Sequence, residues 1–542
     1  MIRFDRVSFR YAGARQPTLT DVNLTIPEGE LCVVVGETGS GKSTLLRTVN
    51  GLVPHFSGGT LGGSVTVDGR STRDHRPREL ADVVGYVGQN PLASFVTERV
   101  EDELAYTMEN IGLAPDVMRR RVEDTVDLLG LLDLRDRSLR ALSGGQQQRV
   151  AIGAVLTASP RVLILDEPTS ALDPAAAEEV LNALSRLVQD LGLTVIMAEH
   201  RLERVLPFAD RIVVVPGGGA PLVDGPPAEI METTTVAPPL IELGRFAGWD
   251  PLPLTVRDAR RQATSLRERI APMRRRWSEV GKDTPSKSDA AASLEHLAVH
   301  YGRVVALQSV DLAVHPGEVT VLMGRNGSGK SSLLNALSGA RRPTSGSARV
   351  AGRDPHRLHP RELIRQVGLV PQDPGMLLYG ETVAEECHNA DRAAALEAGT
   401  TRATLRRVLP GVPLDRHPRD LSEGQRLAVA LAVVLAPAPS LLLLDEPTRG
   451  LDYPSKDRLI SILRELAGSG HAVVLATHDV ELAARVAQRA VVLADGEVIA
   501  DGPARDVVCH SPVFAPQIAK VLAPDEWLTL DEVRAAMEAV PA

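Results

Sequence analysis

One glycine-rich pattern occurs twice in this 542-residue chain, and the same two further patterns follow it each time in the same order. The first copy reads Gly36-Glu37-Thr38-Gly39-Ser40-Gly41-Lys42-Ser43-Thr44, then Leu142-Ser143-Gly144-Gly145-Gln146, then Leu165-Asp166-Glu167. The second reads Gly324-Arg325-Asn326-Gly327-Ser328-Gly329-Lys330-Ser331-Ser332, then Leu421-Ser422-Glu423-Gly424-Gln425, then Leu444-Asp445-Glu446. Lys330 stands 288 residues after Lys42, Gln372 283 after Gln89, Ser422 279 after Ser143, Glu446 279 after Glu167, and His478 278 after His200. Order is kept and the offset drifts by only ten residues (288 to 278), so the chain carries two versions of one domain. The lost residues fall before Gln372 and between Gln372 and Ser422, where loops and a helical insert are expected. One letter breaks the likeness: Glu423 stands where the first copy has Gly144.

A repeat of this length agrees with the bulk figures, since domains average roughly 100–200 residues. A 44% hydrophobic and 24% charged composition is ordinary for folded protein. A net charge of −9 argues against a partner held by bulk electrostatics, so no nucleic acid is expected. Cys32, Cys387 and Cys509 offer neither a disulfide framework nor metal-ligand spacing, and Cys32 sits in an apolar run that reads as core. Leu427–Leu444 is apolar enough to suggest a membrane span, but Pro437, Pro439 and Ser440 split it into a helix-like piece and a strand. A membrane connection is therefore expected through a partner. With no secretory leader, the cytosol is the expected compartment.

Short β-rich runs alternate with helical patterns in each half, the mark of a mainly parallel sheet flanked by helices. Leu31–Val35 and Val319–Met323 read as strands entering the glycine loops. Val162–Leu165 and Leu441–Leu444 read as buried strands ending in carboxylates, and Thr194–Ala198 and Ala472–Ala476 as strands ending before His200 and His478. The expected division is a first domain over 1–232, a Pro- and Arg-rich linker over 233–293, a second domain over 294–520 and a helical tail over 521–542. Val256–Trp277 holds eight arginines against Asp258 and Glu268, which reads either as a solvated linker helix or as a surface for anionic lipid or a partner. Lys282–Ala291 reads as a flexible connector. Thr529-Leu530-Asp531-Glu532 reads as a capping box that opens a terminal helix.

The chemistry is written in the repeated letters. In G-x-x-x-x-G-K-[ST] the glycines let backbone N–H groups converge on phosphate oxygens while the following helix presents its positive end. Gly36, Gly39, Gly41, Lys42, Ser43 and Thr44, with Gly324, Gly327, Gly329, Lys330, Ser331 and Ser332, are the expected phosphate-binding residues. Lys42 and Lys330 are expected to reach the β/γ-phosphates and Ser43 and Ser331 to bind Mg2+. Asp166 and Asp445, at strand ends, suit the outer shell of that ion. Glu167 and Glu446 follow, placed to polarise an attacking water as general base.

Leu142-Ser143-Gly144-Gly145-Gln146, followed by Gln147-Gln148-Arg149 and some twenty residues later by Leu165-Asp166-Glu167-Pro168-Thr169, resembles the ATP-binding-cassette (ABC) ATPases over nearly all of both halves. The resemblance implies an α/β fold of two tandem P-loop domains. Each would have a mainly parallel core sheet with flanking helices, a small antiparallel β part and a helical subdomain. It implies ATP and Mg2+, with Gln89 and Gln372 sensing the ion and a membrane partner. It further implies that His200 and His478 contact the γ-phosphate, that Asp173 and Asp452 lie in the loops joining the cassettes, and that Tyr11 and Tyr301 stack on adenine. In this family cassettes pair head to tail. Lys42, Ser43, Asp166, Glu167, Gln89 and His200 would then share an ATP with Ser422, Glu423, Gly424 and Gln425. Lys330, Ser331, Asp445, Glu446, Gln372 and His478 would share one with Ser143, Gly144, Gly145 and Gln146. Glu423 would put a side chain, and a negative charge unless it points outward, near the first polyphosphate.

Asn50-Gly51-Leu52-Val53-Pro54-His55-Phe56, Gly88-Gln89-Asn90-Pro91, Val100-Glu101-Asp102-Glu103-Leu104-Ala105 and Ala198-Glu199-His200-Arg201-Leu202-Glu203 resemble the energy-coupling-factor (ECF) importers of vitamins and transition-metal ions. In the second half, Val370-Pro371-Gln372-Asp373-Pro374 fits, while Glu423 and Arg426-Leu427 depart. This likeness implies a peripheral protein on the cytoplasmic face of the membrane. It would dock through about Leu92–Asn110 on a transmembrane coupling protein that works with a substrate-binding membrane subunit. A tandem ATPase of a sugar or peptide importer is the nearest alternative. A soluble ribosome-associated translation factor is another, though Pro238, Pro239, Pro251 and Pro253 break the connector where that class carries a long helical hairpin.

Overall fold

The computed structural model describes residues 1–273 and 290–539. Arg274, Arg275, Arg276 and Trp277, and all but the end of the connector Lys282–Ala291, lie outside the described residues. Met1–Thr255 and Val256–Ala542 form two compact units, so the break falls inside the stretch read as a linker.

In the first unit, the core sheet runs in the order Val223–Gly225, Arg211–Val214, Leu31–Val35, Thr194–Ala198, Val162–Asp166, Val84–Val87. All neighbours are parallel except the first pair. Every residue of Leu31–Val35, Val162–Asp166 and Thr194–Ala198 is buried, which is why these runs show no alternation. A second, antiparallel sheet orders Leu19–Ile26, Ile2–Arg10, Thr60–Val67 and Arg70–Ser71. The apolar faces of the two sheets share one core through Ile2, Phe4, Leu24, Val34, Leu45 and Ile164.

The second unit repeats this plan, with core order Val367–Val370, Leu441–Asp445, Ala472–Ala476, Val319–Met323, Arg489–Ala494, Glu497–Pro503. Its antiparallel sheet has three strands, Val304–Val314, Ala292–Tyr301 and Ser345–Val350. Its helical insert is shorter too: Val383–Ala393 and Thr400–Val408 stand where the first half has Val100–Asn110 and Pro115–Leu129. Among the described residues the shrinking offset thus coincides with one lost edge strand and a trimmed second helix of the insert.

The arginine-rich stretch is helical over Val256–Gln262 and Thr264–Ile270. It is not wholly solvated, because Ala259, Ala263, Leu266 and Ile270 are buried. Arg267 donates to the Val521 carbonyl, and the buried side chains face the C-terminal helices Gln517–Leu522 and Leu530–Ala539. The capping box is present in shifted form: Glu532 N–H donates to Thr529, while the Glu532 carboxylate accepts from Leu528 N–H and pairs with Arg505. No helix among the described residues is long and apolar enough to cross a membrane. Leu427–Leu444 is instead the end of helix Glu423–Leu435 plus strand Leu441–Asp445.

Candidate functional site

Open parallel sheets hold ligands beyond the carboxyl ends of their strands, and both sets of motif residues gather there. Strand Leu31–Val35 delivers the loop that ends at helix Lys42–Val49. Gly36 has φ +152, and a Cβ there would lie 2.2 Å from the Val215 carbonyl oxygen; the matching Gly324 would meet that of Leu493 at 2.3 Å. Only glycine lets the loop turn this tightly. Gly39 and Gly327 have nothing within 4 Å of where a Cβ would sit, which leaves the cradle open for phosphate oxygens. Lys42 donates to the Gly36 and Glu37 carbonyls at 2.9 Å each, and Lys330 to those of Gly324 and Arg325 at 2.8 and 3.0 Å. Each ammonium therefore braces the loop whose N–H groups form the anion nest.

Ser43 Oγ donates to Asp166 Oδ1 at 3.0 Å, and the Ser331 hydroxyl is bonded to Asp445. One hydroxyl and one carboxylate per half suit Mg2+, a hard cation that takes its remaining ligands from water and phosphate. Burial pushes the Asp166 carboxyl above its ordinary range, offset by the Ser43 bond and assisted by the Glu167 charge. The same holds for Asp445 with Ser331 and Glu446. A bound dication reverses that penalty by supplying the missing positive charge.

The glutamates behave differently. Glu167 has φ +53 and Glu446 φ +50, left-handed positions that turn the chain sharply off the strand. His200 Nε2 lies 3.0 Å from Glu167 Oε1, and Gln89 Nε2 donates to Glu167 Oε2 at 2.9 Å. Burial opposes ionisation of Glu167, but the His200 bond, the charges of His200 and Lys42, and the Gln89 bond outweigh it and hold the carboxyl below its ordinary range. In the second half His478 approaches through its other ring nitrogen, Nδ1 at 2.7 Å from Glu446 Oε2; Gln372, like Gln89, is exposed.

The signatures begin helices Gly144–Leu156 and Glu423–Leu435. Ser143 and Ser422 are their N-caps, closed by Gln146 and Gln425. Glu423 pairs with Arg426 at 2.8 Å, and Arg426 also donates to the carbonyls of Pro418, Arg419 and Leu421. The extra negative charge therefore arrives with its own counter-ion. Asp173 and Asp452 cap the helices after the carboxylate loops by accepting from Ala176 and Ser455 N–H. Tyr11 donates to, or accepts from, Thr44 Oγ1 at 3.0 Å and meets Phe9 edge-on. Tyr301 is 42% exposed, with the Arg341 guanidinium 4.4 Å over its ring.

Four further groups reach these sites without belonging to the motifs. Arg47 lies 3.8 Å from Asp166, one helical turn after Ser43, a spacing that could have flagged it. Tyr86 is 3.5 Å from the same carboxylate. Their counterparts by alignment are Asn335 and Leu369. Glu199 is buried beside His200, and Lys456 pairs with Asp479 behind His478.

The ABC transporter family matches residues 19–170 and 307–449. A relative from Streptomyces avermitilis, named as an ABC transporter ATP-binding protein, is 61% identical over 99% of this chain and 100% of its own length. One of the same description from Methanosarcina mazei is 34% identical over 94% of this chain and 90% of its own. A solved structure of ribosome-bound archaeal Pelota and ABCE1 covers 95% of this chain and 80% of that one with a TM-score of 0.63; at 20% identity that likeness speaks to the fold alone. With the cassette motifs placed twice at the strand ends of two α/β units, the chain belongs to the ABC transporter family as a tandem ABC ATPase that binds ATP with Mg2+.

Proposed function

We propose that this tandem ATPase powers an ECF-type importer of the vitamin or transition-metal-ion class, acting at the cytoplasmic face of the membrane on a separate transmembrane coupling protein with its substrate-binding subunit. One observation carries the reading. In each half a buried glutamate, Glu103 or Glu386, holds the loop that follows the loop glutamine. Glu103 accepts from Val96 and Thr97 N–H, and Glu386 from Tyr379 and Gly380 N–H. The loops so held turn apolar side chains outward: Leu92 and Val96 in the first half, Met376 and Tyr379 in the second, the last 86% exposed. Fixed, solvent-facing apolar groups on a polar protein suit a partner surface. The sequence likeness around Gln89 and Val100–Ala105 gives that partner its class.

Within each half, Lys42 and Lys330 with the loop N–H groups bind and orient the triphosphate. Mg2+, held at Ser43 and Asp166 or at Ser331 and Asp445, supplies charge neutralisation when bound. Glu167 and Glu446 take the proton of the attacking water, and His200 and His478 orient those carboxylates and face the γ-phosphate. Gln89 and Gln372 join this site to the docking loop. The family's head-to-tail pairing, carried over with this proposal, gives each ATP the signature of the opposite half.

Purification from detergent-solubilised membranes tests the reading. Co-purifying integral membrane proteins, lost in Val96→Glu and Tyr379→Glu chains that still bind ATP, are the expected result. A periplasmic-binding-protein-dependent sugar or peptide complex would shift the importer class. A ribosome-bound pool with no membrane partner would overturn it.

A further inference from the structure

Glu199 is 1% exposed, and neither phosphate, metal nor water chemistry has claimed it. Its Oε1 accepts from Thr169 N–H at 2.8 Å and its Oε2 from His200 N–H at 3.3 Å. Those two amides belong to segments far apart in sequence. Thr169 lies between Glu167 and Asp173, and His200 opens the loop after strand Thr194–Ala198. Arg204, in the short helix Leu202–Val205 that follows, also grips the first segment by donating to the Thr169 and Leu172 carbonyls at 3.2 and 3.1 Å. Burying a carboxylate costs several kcal/mol unless hydrogen bonds and a counter-charge offset it. Burial, with Glu167 nearby, pushes the Glu199 carboxyl above its ordinary range despite the Thr169 bonds and Arg204.

The second half shows that the fold does not require this arrangement. With His478 aligned on His200, Thr477 replaces Glu199 and buried Leu482 replaces Arg204. A different link takes their place: Asp479 pairs with Lys456 at 2.9 Å, both buried, where the first half has Arg201 and Ala177. Lys456 sits in the helix that Asp452 caps, so this bond reaches the chain beyond the aspartate rather than before it.

We propose that Glu199 is a positioning residue that makes His200 and the Thr169–Asp173 segment move as one body in the first half, the task that the Lys456–Asp479 pair performs in the second. The proposal rests on the reading of His200 as a nucleotide-facing residue. Glu199 lies in the loop that holds His200 and accepts from the His200 N–H, and its bond to Thr169 N–H crosses to the segment that holds Asp173, so a shift of one is carried to the other. The two halves thereby transmit nucleotide occupancy through non-interchangeable chemistry.

The test uses the full chain, with amide hydrogen exchange measured with and without a non-hydrolysable ATP analogue plus Mg2+. In the parent chain the analogue protects Gly36–Thr44 and Thr169–Asp173. In Glu199→Thr, protection of Gly36–Thr44 stays, while protection at Ser170–Asp173 falls about tenfold, the scale of one charge-assisted hydrogen bond; Thr448–Asp452 is unchanged. Lys456→Ala gives the mirror result. Turnover in Glu199→Thr falls about tenfold with KM within about twofold, and Glu199→Gln, which keeps one acceptor oxygen, recovers part of it. Unchanged Ser170–Asp173 protection in both Glu199 variants overturns the proposal. So does a loss of melting temperature with faster exchange throughout the first half, which marks Glu199 as structural only. Failure of the analogue to protect Gly36–Thr44 in the parent chain would instead sink the underlying site assignment.

Discussion

Glu167 is held from two sides, by His200 Nε2 and by Gln89, whereas Glu446 meets His478 through the opposite ring nitrogen. Asp166 has Arg47 and Tyr86 beside it; Asp445 has an asparagine and a leucine at those places. The second half, in turn, carries Glu423 with Arg426 where the first has Gly144 with Gln147. Two copies with nearly the same motif letters therefore share their loop and cap bonds but differ in the groups beside the carboxylates and in the signature. The difference teaches that asymmetry between two repeated sites resides as much in the residues behind the motifs as in the motifs.

The largest test of that asymmetry removes one phosphate-loop lysine at a time. If the halves pair head to tail, as proposed above, the ATP at Lys330 would meet the unmodified signature and would carry most of the turnover. Steady-state hydrolysis is expected to fall about 100-fold or more in Lys330→Ala and only about tenfold in Lys42→Ala, since lost phosphate stabilisation costs several kcal/mol at the site doing the chemistry. Equal losses would break the comparison.

The Glu423–Arg426 pair refines the same point. A carboxylate beside a polyphosphate is repelled most where water is excluded, but here it is neutralised within its own helical turn. Arg426→Gln is expected to weaken ATP binding at the first site about tenfold by uncovering Glu423, and Glu423→Gly in that background to restore it. Titration of a fluorescent ATP analogue in a Lys330→Ala chain reads this out. If Arg426→Gln and Glu423→Gln give equal affinities, the charge compensation is not felt by the nucleotide.

Much of this was legible beforehand and some was not, for physical reasons. The strands ending at Gly36, Asp166 and His200 announced themselves because a strand buried on both faces is a short apolar run with a polar residue at its end. Arg426 stood at i+3 from Glu423, a visible helical pairing. The buried face of the arginine-rich stretch was present in the spacing of Ala259, Ala263, Leu266 and Ile270 but hidden under the density of charge around it. Glu199 was not legible: within Glu199-His200-Arg201-Leu202-Glu203-Arg204 a carboxylate reads as solvent-facing, and only tertiary structure brings Thr169 to it. Lys456 and Asp479 likewise lie on different elements.

Within the signatures, the two glycine positions separate cleanly. A Cβ on Gly145 would stand 2.8 Å from Ala176 Cβ, and one on Gly424 would stand 2.9 Å from Ser455 Oγ, whereas one on Gly144 meets Leu172 Cδ2 at 3.3 Å and the Ala171 carbonyl oxygen at 3.9 Å. Gly145→Ala is expected to overpack the helix against the Asp173-capped helix and cost about 1–3 kcal/mol, read as a melting temperature lower by about 2–4 °C per kcal/mol. Gly424→Ala should cost less, because Ser455 can rotate its hydroxyl away. Gly144→Ala should be neutral or gain up to about 1 kcal/mol, since a helical glycine is entropically costly. A large loss at Gly144 would show that its own half, rather than a ligand from outside it, demands the glycine at that place.

The smallest effect concerns the buried strand-end carboxylates Asp166 and Asp445. Burial raises the folded-state pKa of Asp166 and Asp445, so the native chain binds more protons than the unfolded chain between the ordinary aspartate range and the raised value. Stability therefore falls as pH rises through that window, and the penalty is complete above it. Asparagine at either place removes the penalty. In nucleotide-free protein at neutral pH, Asp166→Asn and Asp445→Asn are expected to melt higher by about 2–4 °C for each kcal/mol relieved, with no gain below the ordinary aspartate range, where the acid is neutral in both states. The gain should be larger at Asp445, because Arg47 already offsets part of the charge of Asp166 and would be left without it in the asparagine variant. Adding ATP and Mg2+ should reverse the order of stability in both cases if, as proposed, these carboxylates help to hold the cation. Thermal melts at two pH values, with and without the ligand, check each sign, and equal gains at the two aspartates would remove Arg47 from the list of differences between the halves.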